Sequence, residues 1–156
     1  MPRDADNKVI SLVVHHTATN RKATVEDIRR MHKERGWRDV GYHVLVRQPE
    51  GEQPKAWHGR RHNMDERWDP WERGAHTKGH NRSSVGFALV GNYHEAPPPH
   101  EMLEALADQL AAYAAMFGLG PSEVYGHREM PGTATVCPGD CVDMNLVRTL
   151  VAERLA

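Results

Sequence analysis

Three segments of the sequence carry residue types from which a metal centre can be built. In VVHHTAT, His15 and His16 close an apolar run; in YGHRE, His127 follows a short one; in CPGDC, Cys137 precedes the turn pair Pro138 and Gly139. Imidazole nitrogens and a thiolate are natural zinc ligands, and two His with one Cys leave the fourth position of a tetrahedral ion open to water, as catalytic sites require. Successive strand side chains point to opposite faces, so His15 and His16 cannot both enter such a site. Each piece is weak alone. A strand-end His is commonly a hydrogen-bonded structural residue, and a single Cys commonly packs as a small apolar side chain. The chain has eleven His and two Cys, and residue type by itself leaves open which of them converge.

The elements that must position these groups are legible. Residues 9–15 are almost continuously apolar, which predicts a central strand covered on both faces. Thr24 is an N-cap, Glu26 and Asp27 suit a first turn, Val25, Ile28 and Met31 repeat at three, and Gly36 stands where a helix ends. Strands are predicted over residues 42–46, 54–58 and 85–90, the first two forming a hairpin around Gly51 with Pro54 near its edge. Met102, Leu103, Leu106, Leu110, Tyr113 and Phe117 make a helical stripe closed by Gly118. Val124 and Tyr125 suggest a short strand, and Asp143 caps a last helix with Leu146, Val147, Leu150, Val151 and Leu155 on one face. Alternating strands and helices predict an α/β protein, a central mixed β-sheet flanked by helices.

Composition narrows the rest. At 156 residues the expectation is a single domain spanning 1–156. A net charge of −1 provides no general positive field, so nucleic acid is not an expected partner. The longest apolar run is far shorter than the ~20 residues of a membrane-spanning helix, and no membrane insertion is expected. The polar, acid-bearing start MPRDADNK resembles neither a secretory signal peptide nor a transit peptide. No heptad or large apolar surface segment appears, which favours a monomer. Cys141, four residues after Cys137, is expected to be a free thiol.

Four ordered segments, VVHHTAT, GWRDVGYHVLV, GAHTKGHNRSSVGFALVGNY and GHREMPGTATVCPGD, resemble the zinc-dependent N-acetylmuramoyl-L-alanine amidases, a family that includes amidase-type phage lysozymes and peptidoglycan recognition proteins. The likeness runs from Val9 to the final helix. It implies that Zn2+ is held by His15, His127 and Cys137, with His16 on the other face. It implies that the chain cleaves the amide between N-acetylmuramic acid and L-alanine in bacterial peptidoglycan. A phage or prophage endolysin is the expected role: made in the host cytoplasm without a signal peptide, acting on the cell wall after release, with no separate wall-binding module. Alternatives are a cytosolic muropeptide-recycling amidase and a non-catalytic peptidoglycan-binding or regulatory module.

The same resemblance places Tyr42 beside the reacting water, where it would orient that water or assist proton transfer. Thr135, two residues before Cys137, stands where phage relatives carry Lys and active recognition proteins carry Thr, and would donate to the oxyanion. His76 would serve the substrate or proton transfer. Ala88 occupies the place where some relatives have a Glu general base. Trp68 and Trp71, in the Arg-bearing loop 59–74, could stack on sugars or be buried anchors of the loop. The remaining histidines, His32, His43, His58, His62, His80, His94 and His100, are assigned to packing, surface or hydrogen bonding.

Overall fold

The computed structural model describes residues 8–62 and 72–156. Strand β1 (Ser11–His16) leads to helix α1 (Val25–Glu34), then to β2 (Val44–Arg47) and β3 (Lys55–His58). Next come β4 (Ser84–Leu89), helix α2 (His100–Phe117), β5 (Val124–Gly126) and helix α3 (Met144–Leu155). The five strands form one mixed sheet in the order β3-β2-β4-β1-β5, parallel except for the β2/β3 hairpin. The predicted α/β architecture is thus the observed one.

β1 lies inside the sheet, paired with β4 and β5, and all six of its residues are buried. That is why its sequence lacks polar alternation. One face, bearing Leu12, Val14, Val44, Val46, Val85, Phe87 and Leu89, packs under α2 and α3 through Met102, Leu106, Leu110, Tyr113, Val147 and Val151. The other face carries a smaller cluster, in which Val25 and Ile28 of α1 cover Leu45 and Ala88, with Val40 and Val90 completing it. Strand alternation therefore sends Val13 and His15 toward the α1 side and Val14 and His16 toward the α2/α3 side.

Three local expectations shift. The buried residues of α1 are Val25, Ile28 and His32, while Met31 is 38 % exposed; the helical repeat of 3.6 carries the apolar face one position past a strict spacing of three. Tyr42 precedes β2 instead of lying within it, and β1 extends through His16. The capping predictions hold: Thr24 and Asp27 form a capping box, Asp143 accepts from the Asn145 and Leu146 N–H groups, and Gly118 ends α2 at φ 69°. Among the described residues no helix is long and apolar enough to cross a membrane.

Candidate metal centre

The end of β1 delivers His15, 1 % exposed, onto the α1 side of the sheet. Its ring is the hub of the site, with centroids of His127 at 4.7 Å, His76 at 4.9 Å and Tyr42 at 5.2 Å. β5, the next strand over, ends at Gly126 and delivers His127 on a tight turn. Glu129 fixes that turn: its carboxylate accepts the Gly126 N–H at 2.7 Å and a two-armed contact from Arg148 at 2.9 and 3.1 Å. Thr133 donates to the His127 carbonyl at 3.1 Å.

Cys137 arrives on a loop that is tied down from three sides. Its carbonyl accepts the Arg128 N–H at 2.8 Å, its own N–H donates to Thr135 Oγ1 at 3.2 Å, and its sulfur accepts the His16 N–H at 3.4 Å. The Arg128 guanidinium then bonds the carbonyls of Gly139 and Val142, each at 2.8 Å. One ligand atom from each of His15, His127 and Cys137 lies within 4.8 Å of the other two.

The donor set fits zinc. Tetrahedral zinc with nitrogen at ~2.1 Å and sulfur at ~2.3 Å spaces its ligand atoms about 3.5 Å apart; Cys137 Sγ lies 3.7 Å from His15 Nδ1. Burial, followed by the neighbouring imidazoles of His76, His127, His16 and His43, holds His15 well below the usual histidine range. Burial and then His80 lower His127. Both imidazoles are thereby neutral, the form that ligates. Burial pushes the Cys137 thiol up to about 11, against the pull of the His16 N–H and Arg128. A divalent cation is the partner that would release its proton and convert it to a ligand.

The other predicted residues are distributed around this centre. Burial, then Cys137, raises the Tyr42 phenol, so it is a proton donor at neutral pH and a poor base. Thr135 uses its oxygen to accept from the Cys137 N–H, and a hydroxyl that accepts still has its own proton to give. Ala88 lies fully buried in register with His15, so no carboxylate enters from β4. His16 points the other way, accepting the Tyr93 N–H at 3.1 Å with its ring 4.6 Å from that of His94. His32 accepts the Gly41 N–H at 2.8 Å, and His43 bridges the Glu72 carbonyl at 2.6 Å and the Gly86 N–H at 3.0 Å. Cys141 is a free thiol whose S–H donates to the His94 carbonyl at 3.3 Å. Trp68 and Trp71 lie outside the described residues.

His76, expected to serve the substrate or proton transfer, lies against His15. It is buried, and its Nδ1 stands 2.9 Å from His15 Nε2, on the side of that ring away from Cys137. Sequence reasoning also passed over Arg128, which joins two of the ligand segments, and Asn81, whose Oδ1 accepts the N–H groups of His76 and Thr77 at 3.0 Å each. A glycine inside an apolar strand run, Gly86, was the available signal that something approaches the sheet closely there.

A family model described as N-acetylmuramoyl-L-alanine amidase matches residues 5–140. The chain is 35 % identical over 150 residues to a human N-acetylmuramoyl-L-alanine amidase, covering 88 % of this chain but 23 % of that protein. It thus spans about a quarter of that relative. An endolysin of Escherichia phage T7 is 35 % identical over 83 residues, 52 % of this chain and 47 % of the phage protein. The solved structure of an N-acetylmuramoyl-L-alanine amidase, LysC, from Clostridium intestinale superposes with a TM-score of 0.75 over 96 % of this chain and 89 % of that one, at 23 % identity. The family match runs across most of the chain, and the protein belongs to the N-acetylmuramoyl-L-alanine amidase family.

Proposed function

We propose that this protein is a zinc-dependent hydrolase of bacterial peptidoglycan that cuts the amide between N-acetylmuramic acid and L-alanine, and that it acts as a phage or prophage endolysin. The observation that carries the reading is the convergence of His15, His127 and Cys137 beside Tyr42. The phage likeness rests on the T7 endolysin match. Retention of all three ligand residues favours catalysis over a module that only binds the wall.

His15, His127 and Cys137 would hold the ion, and a zinc ion held so supplies Lewis acidity together with a water whose pKa falls to ~7. The remaining chemistry belongs to the protein. Tyr42, kept as a phenol by burial, donates a hydrogen bond that orients the attacking water or stabilises the oxygen on which charge develops. Thr135 and backbone N–H groups of the Cys137 loop are the further donors for that oxygen, and one such donor is commonly worth ~3 kcal/mol. Thr135 does what an ammonium does in phage relatives that carry Lys, with directionality but without charge.

The reading is tested by turbidity loss of purified cell walls together with elemental analysis of the protein. About one zinc per chain is expected, with lysis abolished by a chelator and restored by added zinc. Chelator-indifferent lysis or metal-free active protein overturns it.

A further inference from the structure

We infer that His76 is a positioning residue that fixes the tautomer of His15, so that the Nδ1 lone pair of His15 is presented to the metal. This rests on the metal reading above. The proton assignment follows from a chain of hydrogen bonds that starts at a backbone carbonyl. Ser84 Oγ lies 2.7 Å from the His80 carbonyl, which can only accept, so the serine proton is committed there. Ser84 Oγ is then an acceptor toward His76 Nε2 at 3.4 Å, which makes Nε2 the protonated nitrogen of His76. Its Nδ1 consequently carries a lone pair, which faces His15 Nε2 at 2.9 Å. His15 must donate from Nε2, and its other nitrogen, Nδ1, is left unprotonated toward Cys137 Sγ at 3.7 Å. Thr77 Oγ1, 2.9 Å from His76 Nδ1 and 3.3 Å from His15 Nε2, closes the group and is compatible with this direction of donation.

The fold is shaped to seat this imidazole. Ser84, Gly86 and Ala88 of β4 share the sheet face that carries His15. A Cβ on Gly86 would stand 2.6 Å from His76 Cγ, and one on Gly74 would stand 2.7 Å from its Cδ2. At Gly86 it is the His76 ring that excludes a side chain, so this glycine makes room for the imidazole on the strand next to β1, while at Gly74 the Gly41 carbonyl oxygen, 2.5 Å from such a Cβ, crowds the position as well. Asn81 holds the backbone at His76 and Thr77. An imidazole pinned by sheet and loop, and bonded on both nitrogens, gives His15 little rotational freedom about its side chain.

The arrangement is tested by zinc affinity and by His15 protonation in the metal-free protein. His76→Leu removes the acceptor at similar volume, and His76→Asn restores an acceptor oxygen near the position of Nδ1. Competition titration should show zinc binding weakened about 10–100-fold by the leucine variant and largely recovered by asparagine, the scale typical of residues that orient a ligand. Equal affinity in parent and folded leucine variant overturns the inference. Should the leucine variant fail to fold, long-range 1H–15N spectra of the metal-free parent decide: a proton on His15 Nε2 is expected, and a proton on Nδ1 overturns it. A parent that binds no zinc would sink the metal reading, while the tautomer spectrum would still judge the role of His76.

Discussion

Replacing Arg128 by methionine separates loop anchoring from the proposed ligation, because it leaves His15, His127 and Cys137 untouched. Methionine keeps an unbranched apolar stem and loses the guanidinium that bonds the Gly139 and Val142 carbonyls at 2.8 Å each. Hydrogen bonds from a charged donor are worth ~1.5–3 kcal/mol each, and half-burial of the guanidinium puts the pair near ~2–4 kcal/mol in all. For a chain of this size that corresponds to a melting temperature about 5–15 °C lower. The loop that loses these bonds carries Cys137, so its ordering must then come from metal binding itself, and zinc affinity should fall about tenfold. Thermal unfolding of the metal-free protein and a competition titration read the two effects. Arg128→Lys, able to reach one carbonyl but not both, should fall between parent and methionine. A methionine variant that melts with the parent and binds zinc equally would refute the view that Arg128 assembles the site.

Tyr42→Phe should retain zinc and fold while losing most lytic activity, by about 100-fold in kcat if the phenol donates to developing charge; an unchanged rate removes Tyr42 from the mechanism. Acid should destabilise the protein through His32, which burial, then Arg35 and Arg60, push down to about 4 in the fold. Below pH 6.5 the unfolded chain takes up this proton and the folded chain does not, so stability is complete above pH 6.5 and falls as pH drops from 6.5 toward 4, by up to ~1.4 kcal/mol per pH unit for one proton. His32→Asn, whose side-chain oxygen can still accept from Gly41, should reduce the slope in urea melts across the window by up to that one-proton share, the histidines that burial also lowers, among them His15 and His16, supplying the rest. Identical slopes would show that His32 takes no part in the acid destabilisation.

The sequence revealed the sheet and its helices because burial on both faces of β1 and the stripe of α2 leave direct periodic traces. It placed His15 and His16 at a strand end on opposite faces by alternation, while choosing His15 between them required the family likeness. Selecting His127 and Cys137 from the other histidines and the second cysteine required family likeness, since their convergence is made by pairing β1 with β5 and by Arg128 joining distant loops. The position of His76 against His15 was hidden for the same reason. Its neighbours come from β1, β4 and the loop before β4, a relation that no local pattern encodes, and only Gly86 marked it. Met31 and His32 show the reverse case, where a local pattern was visible and a strict spacing of three misread it by one residue.

Mass spectrometry of purified peptidoglycan incubated with the zinc-loaded protein tests the central claim most directly. Stem peptides with a free N-terminal L-alanine should be released, leaving glycan strands without new reducing ends. New reducing ends, cleavage within the stem peptide, or an undigested wall would contradict it.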